Sequence, residues 1–328
     1  MSGSRPLRTT FLGLDGFWPE TLAGGLGRRY PDEFSCRTLV QGAGLASVPR
    51  FVAVLRGSDL VVRVGATFRW DSTLDRMLLA LPRCPFGAPV VIYWTGTDVL
   101  MLQRSFRDGT LPDKARAALA GVQHMAGAEH LTAELAECGV DAETVPFPAM
   151  ALAPPPTAPP MPERFRVLTY LPAGSGPRFA FYGGPQILEA ARALPDVEFA
   201  VIGASVMDAD VPANVELLGR VDDPATEYAR SSVVVRMVEH DAIGGTVCEG
   251  LMYGRHVIYT YDVPHTVRVA FGDVGALIGA IGALHERHRT GSLELNRAGF
   301  DYAAVEFDPD IRFARLRDVL NGITGETR

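Results

Sequence analysis

The sequence predicts an α/β protein made of two doubly wound parallel sheets in series. Three observations carry that prediction. Short β-branched runs alternate with helical stretches, a proline-dense segment divides the chain near its midpoint, and 328 residues exceed what one core comfortably holds. Apolar residues make up 47% and charged residues 21%, a globular balance that excludes disorder.

In the first half the strand candidates are 9–14, 34–40, 59–64 and 89–94, with shorter ones at 122–125 and 143–147. They are apolar almost throughout, as strands covered by helices on both faces must be. Asp15-Gly16 ends the first strand and Ala23-Gly24-Gly25 follows, either as a glycine-rich turn or within a helix. Residues 146–162, PFPAMALAPPPTAPPMP, hold eight prolines in seventeen positions. That density forbids helix and disfavours a central strand, which leaves an extended, semi-stiff connector. Beyond it the strands are expected at 166–171, 198–202, 215–218, 233–236 and 256–260. Between them fall helices such as 185–194, where Pro185 opens the helix and Ile187, Ala190, Ala191 and Leu194 share one face. Residues 308–323 read as a final amphipathic helix with Phe313, Leu316, Leu320 and Ile323 on one side. Two such domains on a stiff hinge would leave a cleft at their strand C-termini, where open α/β sheets bind ligands.

The net charge is −7 and Lys114 is the single lysine, with no Lys/Arg stripe; a nucleic-acid partner is not expected. Cys36, Cys84, Cys138 and Cys248 lie far apart without metal-ligand spacing, as reduced thiols would. The N-terminal residues lack the apolar stretch of a signal peptide, and no run approaches the roughly 20 residues of a membrane span. A cytoplasmic protein is expected, with peripheral membrane contact left open.

The richest segment is 233–261, VVVRMVEHDAIGGTVCEGLMYGRHVIYTY. A buried strand ends at Arg236, a polar loop carries Glu239, His240 and Asp241, and Gly244-Gly245 lead into a helix near Thr246. Paired glycines admit a ligand close to the backbone, and the helix N-terminus offers free N–H groups and a positive dipole end to phosphate or sugar oxygens. Asp241 and Glu249 flank this loop with seven residues between them. Thr246 and Glu249 also have the spacing of a capping box, in which each side chain satisfies the other's backbone N–H.

The stretch D-AIGGTVC-E followed by GLMYGRHVIYT resembles the E-x7-E signature of retaining glycosyltransferases of the family 4 kind (glycosyl transferases group 1). The upstream segments YGGPQILEAARALPDVEFAVIGAS and NVELLGRVDDPATEYARSSVVVR resemble the donor half of those enzymes, so the likeness covers about 165–260. It implies the GT-B fold: two Rossmann-like domains facing a cleft, with a last helix crossing back to the first. The expected division is an acceptor domain at 1–150, a linker at 151–163, a donor domain at 164–306 and the returning helix at 307–328. By the same likeness Asp241 meets the sugar hydroxyls of the donor, Glu249 binds the nucleotide ribose, and Arg236 and His240 line the site. The helix start at Gly244, Gly245 and Thr246 is expected to meet phosphate or sugar oxygens of the donor.

Two departures stand out. Asp241 replaces the first Glu of the signature, and Tyr182, in Phe181-Tyr182-Gly183-Gly184, occupies the place where the family has a diphosphate-binding Lys. The nearest cation is Arg178, which could bridge phosphate oxygens or be an ordinary surface arginine. In the first half, VVIYWTGTD is similar to a W-x-G-[ST]-D-V motif of some GT-B enzymes, which gives Asp98 either a catalytic role or the task of capping the next helix. His124 and His130 are read as structural.

The resemblance implies sugar transfer from a nucleotide-diphosphate-sugar donor to a hydroxyl acceptor (glycan, lipid-linked or small-molecule) with retention, without metal and without a cofactor beyond the donor substrate. A nucleotide-sugar epimerase and a non-catalytic GT-B nucleotide- or glycan-binding protein remain the alternatives.

Overall fold

A computed structural model of the chain describes residues 5–13, 16–40, 48–65, 73–83, 87–148, 152 and 154–325. Leu14 and Asp15 at the end of the first expected strand, Cys84, and residues 149–151 and 153 of the proline segment lie outside the described residues. The chain forms two compact units, one of Met1–Ala149 with Pro309–Arg328 and one of Met150–Asp308.

The first unit runs β1 (Leu7–Gly13), α1 (Phe17–Arg29), β2 (Phe34–Val40), α2 (Val48–Arg56), β3 (Leu60–Val64), α3 (Thr73–Ala80) and β4 (Val90–Trp94). It continues with α4 (Thr97–Arg107), α5 (Asp113–Leu119), β5 (Gln123–Ala126), α6 (Glu129–Glu137) and β6 (Glu143–Thr144). The strands form one parallel sheet ordered β2-β1-β3-β4-β5-β6. Their side chains alternate between two buried layers. Phe11, Val62 and Val91 pack with Leu22 and Leu26 of α1, whereas Leu12, Val61 and Val90 pack with Phe51 and Leu55 of α2 and Leu78 of α3. This two-sided burial is why the strands read as unbroken apolar runs.

The chain's last helix, α13 (Pro309–Gly325), belongs to this unit, as the expected returning helix requires. Phe313, Leu316 and Leu320 enter the α1 layer, and Ile323 packs at its margin. Polar ties hold it: Arg312 Nη1 donates to Phe147 O at 2.8 Å, Arg29 Nε to Asp310 Oδ1 at 2.7 Å, and Arg315 Nη2 to Glu143 Oε1 at 2.7 Å. This packing decides the open reading of Ala23-Gly24-Gly25. These residues lie inside α1, not in a ligand-facing turn, and a Cβ on Gly25 would stand 2.0 Å from Phe313 Cζ.

The second unit runs β7 (Arg166–Leu171), α7 (Pro177–Phe181), α8 (Gly184–Ala193), β8 (Glu198–Gly203), β9 (Val215–Gly219), α9 (Pro224–Ala229) and β10 (Val233–Arg236). After these come α10 (Gly245–Met252), β11 (His256–Tyr259), β12 (Val267–Arg268), α11 (Val274–Arg289) and α12 (Arg297–Glu306). The sheet is again parallel, ordered β12-β11-β10-β7-β8-β9. Val233 and Val235 face the layer of α8 and α11, and Val234 faces that of α9, α10 and α12. Strands after β7 are added in one direction, and those from β10 onward in the other. The switch point therefore lies between β7 and β10, beside the loop that follows Arg236.

The proline segment is anchored to this unit along its later part. Arg255, fully buried, donates from Nη1 to Pro160 O at 3.0 Å and from Nη2 to Pro159 O at 2.9 Å. His288 Nε2 reaches Pro162 O at 2.9 Å, and Met161 packs against the core. Prolines cannot donate to a sheet, so their carbonyls are what a buried guanidinium can capture. Burial lowers the Arg255 pKa to about 10, still far above neutral pH, so the captured carbonyls face a full charge.

Candidate functional site

The loop between β10 and α10 is buried to a degree unusual for a connection: Met237, Val238, His240 and Ala242 are almost fully enclosed. Its backbone polar groups are met by side chains of residues 259–261. Tyr259 Oη donates to Ala242 O at 2.7 Å, Thr260 Oγ1 accepts from Val238 N at 3.0 Å, and Tyr261 Oη donates to Glu239 O at 3.4 Å. From the other side Glu239 N donates to Phe181 O at 2.8 Å, which ties the loop to the turn after α7. Gly183 makes that approach feasible. Its φ is +70°, and a Cβ there would lie 2.5 Å from Met237 O.

Within this frame Arg236 and Asp241 form an ion pair. Arg236 Nε and Nη2 both donate to Asp241 Oδ2, at 3.0 and 2.7 Å, and Asp241 Oδ1 accepts from Ala242 N at 3.1 Å. Burial would lower the Arg236 pKa, but the Asp241 carboxylate outweighs it and raises the group above its ordinary value. The guanidinium also lies over the Tyr182 ring, 4.8 Å from its centroid. Arg178, exposed on α7, approaches the same ring at 5.8 Å. Tyr182 thus gathers the two arginines at the place where a lysine was expected.

The paired glycines divide the labour. A Cβ on Gly244 would stand 2.7 Å from Asp241 Oδ2 and 2.8 Å from Arg236 Nε, so Gly244 makes room for the ion pair. Gly245, the first residue of α10, is exposed, and the nearest atom to its virtual Cβ is Glu249 Oε1 at 4.0 Å. Beside it Thr246 Oγ1 is buried and has no hydrogen-bond partner. The capping box of Thr246 and Glu249 is not formed. Gly244 is the N-cap with no side-chain cap bond, and Glu249 Oε2 instead accepts from Tyr228 Oη at 2.6 Å. The buried hydroxyl on α9 thus binds a carboxylate oxygen of the residue that a capping box would have used. His240, 5% exposed, sits edge-on to Tyr261 with centroids 6.1 Å apart.

The structure therefore brings Arg236, Asp241, Gly244 and Tyr182 into contact, with Arg178 at their edge. Gly245, Thr246 and Glu249 lie at the following helix start. Asp98 lies in the other unit. Its Oδ1 accepts from Thr95 N, Gly96 N and Val99 N at 3.0, 2.8 and 3.0 Å, and Oδ2 from Thr95 N at 3.1 Å. The carboxylate, 4% exposed, is committed to shaping the turn at Gly96, whose φ is +127°. Residues that frame this loop and the start of α10 but escaped sequence reasoning are Tyr228, Tyr259, Thr260 and Tyr261. The run Tyr-Thr-Tyr after an apolar strand was the visible signal for the last three. Among the described residues no three His, Cys, Asp or Glu side chains cluster as metal ligands, and no helix is long and apolar enough to cross a membrane.

Solved structures share this architecture at low sequence identity. The sucrose-phosphate synthase of Thermosynechococcus elongatus superposes with a TM-score of 0.72 at 13% identity, over 98% of this chain and 100% of its own. Anabaena HepE in complex with UDP and glucose gives 0.67 at 12% identity, over 96% and 99%. TarM gives 0.55 at 10% identity over 80% of this chain, which spans about half (54%) of TarM's length. The fold is that of GT-B proteins: two parallel sheets with flanking helices and a last helix returning to the first unit. No family model and no curated protein matches the sequence.

Proposed function

We propose that this GT-B chain is a glycosyltransferase that moves a sugar from a nucleotide-diphosphate donor to a hydroxyl acceptor, with retention and without metal. The observation that carries the reading is the start of α10 at the switch point of the second sheet. There an exposed Gly245, an unpartnered Thr246 hydroxyl and the Glu249 carboxylate sit together. Backbone N–H groups of the helix start and the Thr246 hydroxyl suit diphosphate oxygens, and Glu249 suits the vicinal hydroxyls of a ribose. Asp241, held by Arg236 beside the same loop, suits sugar hydroxyls, with His240 next to it. The leaving diphosphate would gain from the helix dipole and from Arg178 and Arg236, a preorganised positive field of the kind that stabilises departing anions. HepE, which is similar in fold, binds UDP and glucose, and a donor of that chemistry is what we assign here. Asp98 serves the first unit by fixing the turn of residues 95–97, on which an acceptor hydroxyl would be met.

A second reading, a binding protein that kept the fold without transfer, is favoured by one feature. Tyr182 replaces the expected lysine, and Arg236 is already engaged by Asp241. Thermal stabilisation by UDP, GDP, ADP, TDP and CMP, with and without EDTA, tests the donor site, because a ligand of the folded state alone raises the melting point. One nucleotide acting equally in EDTA and inactive on Glu249→Ala supports it; no shift with any of them rejects it. Release of free sugar from the matching donor, or its transfer to an alcohol, then separates enzyme from binder.

A further inference from the structure

We propose that Phe17 and Trp18, at the start of α1, form a stacking platform for a sugar ring, and that the acceptor of the transfer is therefore a carbohydrate. The inference rests on the transferase reading above and names the substrate class on its acceptor side. Phe17 is 59% exposed and Trp18 41%, and among the described residues no other Phe, Tyr or Trp side chain is exposed. The same helix buries Leu22, Ala23 and Leu26, so the two rings are a patch set apart from its core-facing stripe. They stand where open α/β sheets take ligands. β2 is added on one side of β1 and β3 to β6 on the other, so the switch point of the first sheet lies between β1 and β3. α1 begins just beyond the end of β1 and brings its first turn to that point. Trp18 is steadied there by two rings, Phe17 at 4.7 Å between centroids and Phe147 at 4.9 Å. Phe147 in turn leans on the fully buried Tyr93 at 5.3 Å.

A pyranose ring presents C–H bonds on its faces, made slightly positive by the ring oxygens, and the face of an aromatic ring is negative. Stacking the two removes apolar surface from water on both sides. A tryptophan already held by its neighbours loses little rotamer freedom in doing so. Phe17 and Phe147 meet Trp18 at 71° and 80°, so neither lies flat on the indole. Sugar hydroxyls also need acceptors at the rim of such a platform. Glu20, exposed in the same first turn, supplies a carboxylate, whose Oε1 folds back to 2.8 Å from where a Cβ on Gly16 would stand. The same carboxylate and the net charge of −7 tell against a membrane surface, where aromatic anchors are joined by Lys and Arg to meet anionic lipid. Arg28 and Arg29, the basic residues of α1, stand in its last turn, at the other end of the helix.

The test uses the full chain and four neutral sugars, methyl β-glucoside, cellobiose, lactose and diacetylchitobiose, with binding read by saturation-transfer NMR in the absence of donor. At least one is expected to bind in the millimolar range. Trp18→Ala is expected to weaken it about five- to tenfold, the worth of one aromatic stack. Trp18→Tyr, which keeps a flat ring, retains most of the affinity, and Phe17→Ala, which removes a ring lying mostly in water, weakens binding without disturbing the fold. Met101→Ala, which removes a side chain of like exposure from α4, leaves binding at its wild-type value. The inference is overturned if no sugar binds, or if Trp18→Ala and Phe17→Ala both bind like wild type. It is also overturned if vesicles of phosphatidylglycerol and phosphatidylcholine are held through Trp18 while the sugars are not. The nucleotide panel keeps the two readings apart. Stabilisation by a nucleotide without sugar binding removes this inference alone, whereas Trp18-dependent sugar binding with no response to any nucleotide removes the donor site and leaves the stacking platform standing.

Discussion

The guanidinium of Arg236 rests on the ring of Tyr182, 4.8 Å from its centroid, while two of its nitrogens hold a single oxygen of Asp241. The aromatic ring thus completes the setting of a cation that the donor phosphates are expected to feel. A buried cation–π contact is worth on the order of 1–2 kcal/mol. Tyr182→Ala should therefore weaken donor turnover about tenfold, and Tyr182→Phe, which keeps the ring face, should stay near wild type. Steady-state kinetics with the donor identified by thermal stabilisation would check this. Equal losses in both variants would show that the hydroxyl, not the ring face, matters.

Gly25 and Phe313 give a prediction about stability. Gly25→Ala puts a methyl group into the Phe313 ring and should cost about 2 kcal/mol by overpacking. The three tryptophans, at positions 18, 70 and 94, all precede Met150, where the second unit begins, so tryptophan fluorescence does not report on that second unit in a denaturant titration. Phe313→Leu combined with Gly25→Ala should lose less than the sum of the two single variants, because the smaller side chain leaves room for the methyl.

Acid should weaken the same unit through His124. Trp94 Nε1 can only donate, so His124 Nδ1, 3.2 Å away, accepts, and Nε2 donates to Leu119 O at 3.0 Å. The ring is neutral in the fold, and burial lowers its pKa from 6.5. Below 6.5 the unfolded chain binds the proton first, so stability is full above that pH and falls as pH drops toward the lower folded value. Melting followed by tryptophan fluorescence from pH 8 to pH 5 would show the decline as ~6.5 is passed. His124→Asn should flatten it, and a slope unchanged in that variant would remove His124 as the cause.

Asp98 offers a division between support and chemistry. Replacing it with Ala leaves the amides of Thr95, Gly96 and Val99 without their acceptor, a loss of about 2 kcal/mol in the first unit. On the proposed donor site in the second unit, the nucleotide-induced rise in melting point should keep its wild-type size, while the KM for acceptor rises. A lost nucleotide response in Asp98→Ala would contradict the assignment.

The architecture was largely legible because the physics behind it is local and repeated. All eleven strands expected from apolar runs are present, and Phe313, Leu316 and Leu320 showed their shared face at helical spacing. β12 escaped because it has two residues, Val267 and Arg268, and no run to detect. Side-chain pairing was less legible. Thr246 and Glu249 had the spacing of a cap, but a tyrosine hydroxyl on a distant helix competed for the carboxylate and won. Similarly, Gly24-Gly25 stayed open between turn and helix because the residue that requires the glycine, Phe313, arrives nearly three hundred positions later. The capture of Pro159 and Pro160 by Arg255 had no signal at all in spacing or composition.

The returning helix also sets an order of events during synthesis. Leu22, Leu26 and Phe11 share a layer with Phe313, Leu316 and Leu320, so the first unit cannot close its core until the ribosome has made the end of α13. The second unit, Met150–Asp308, is continuous and complete by then. The half that starts first therefore finishes last. During that interval the face of β1 and α1 awaiting α13 stays open to water, the state in which nascent chains are most exposed to aggregation and most in need of a chaperone.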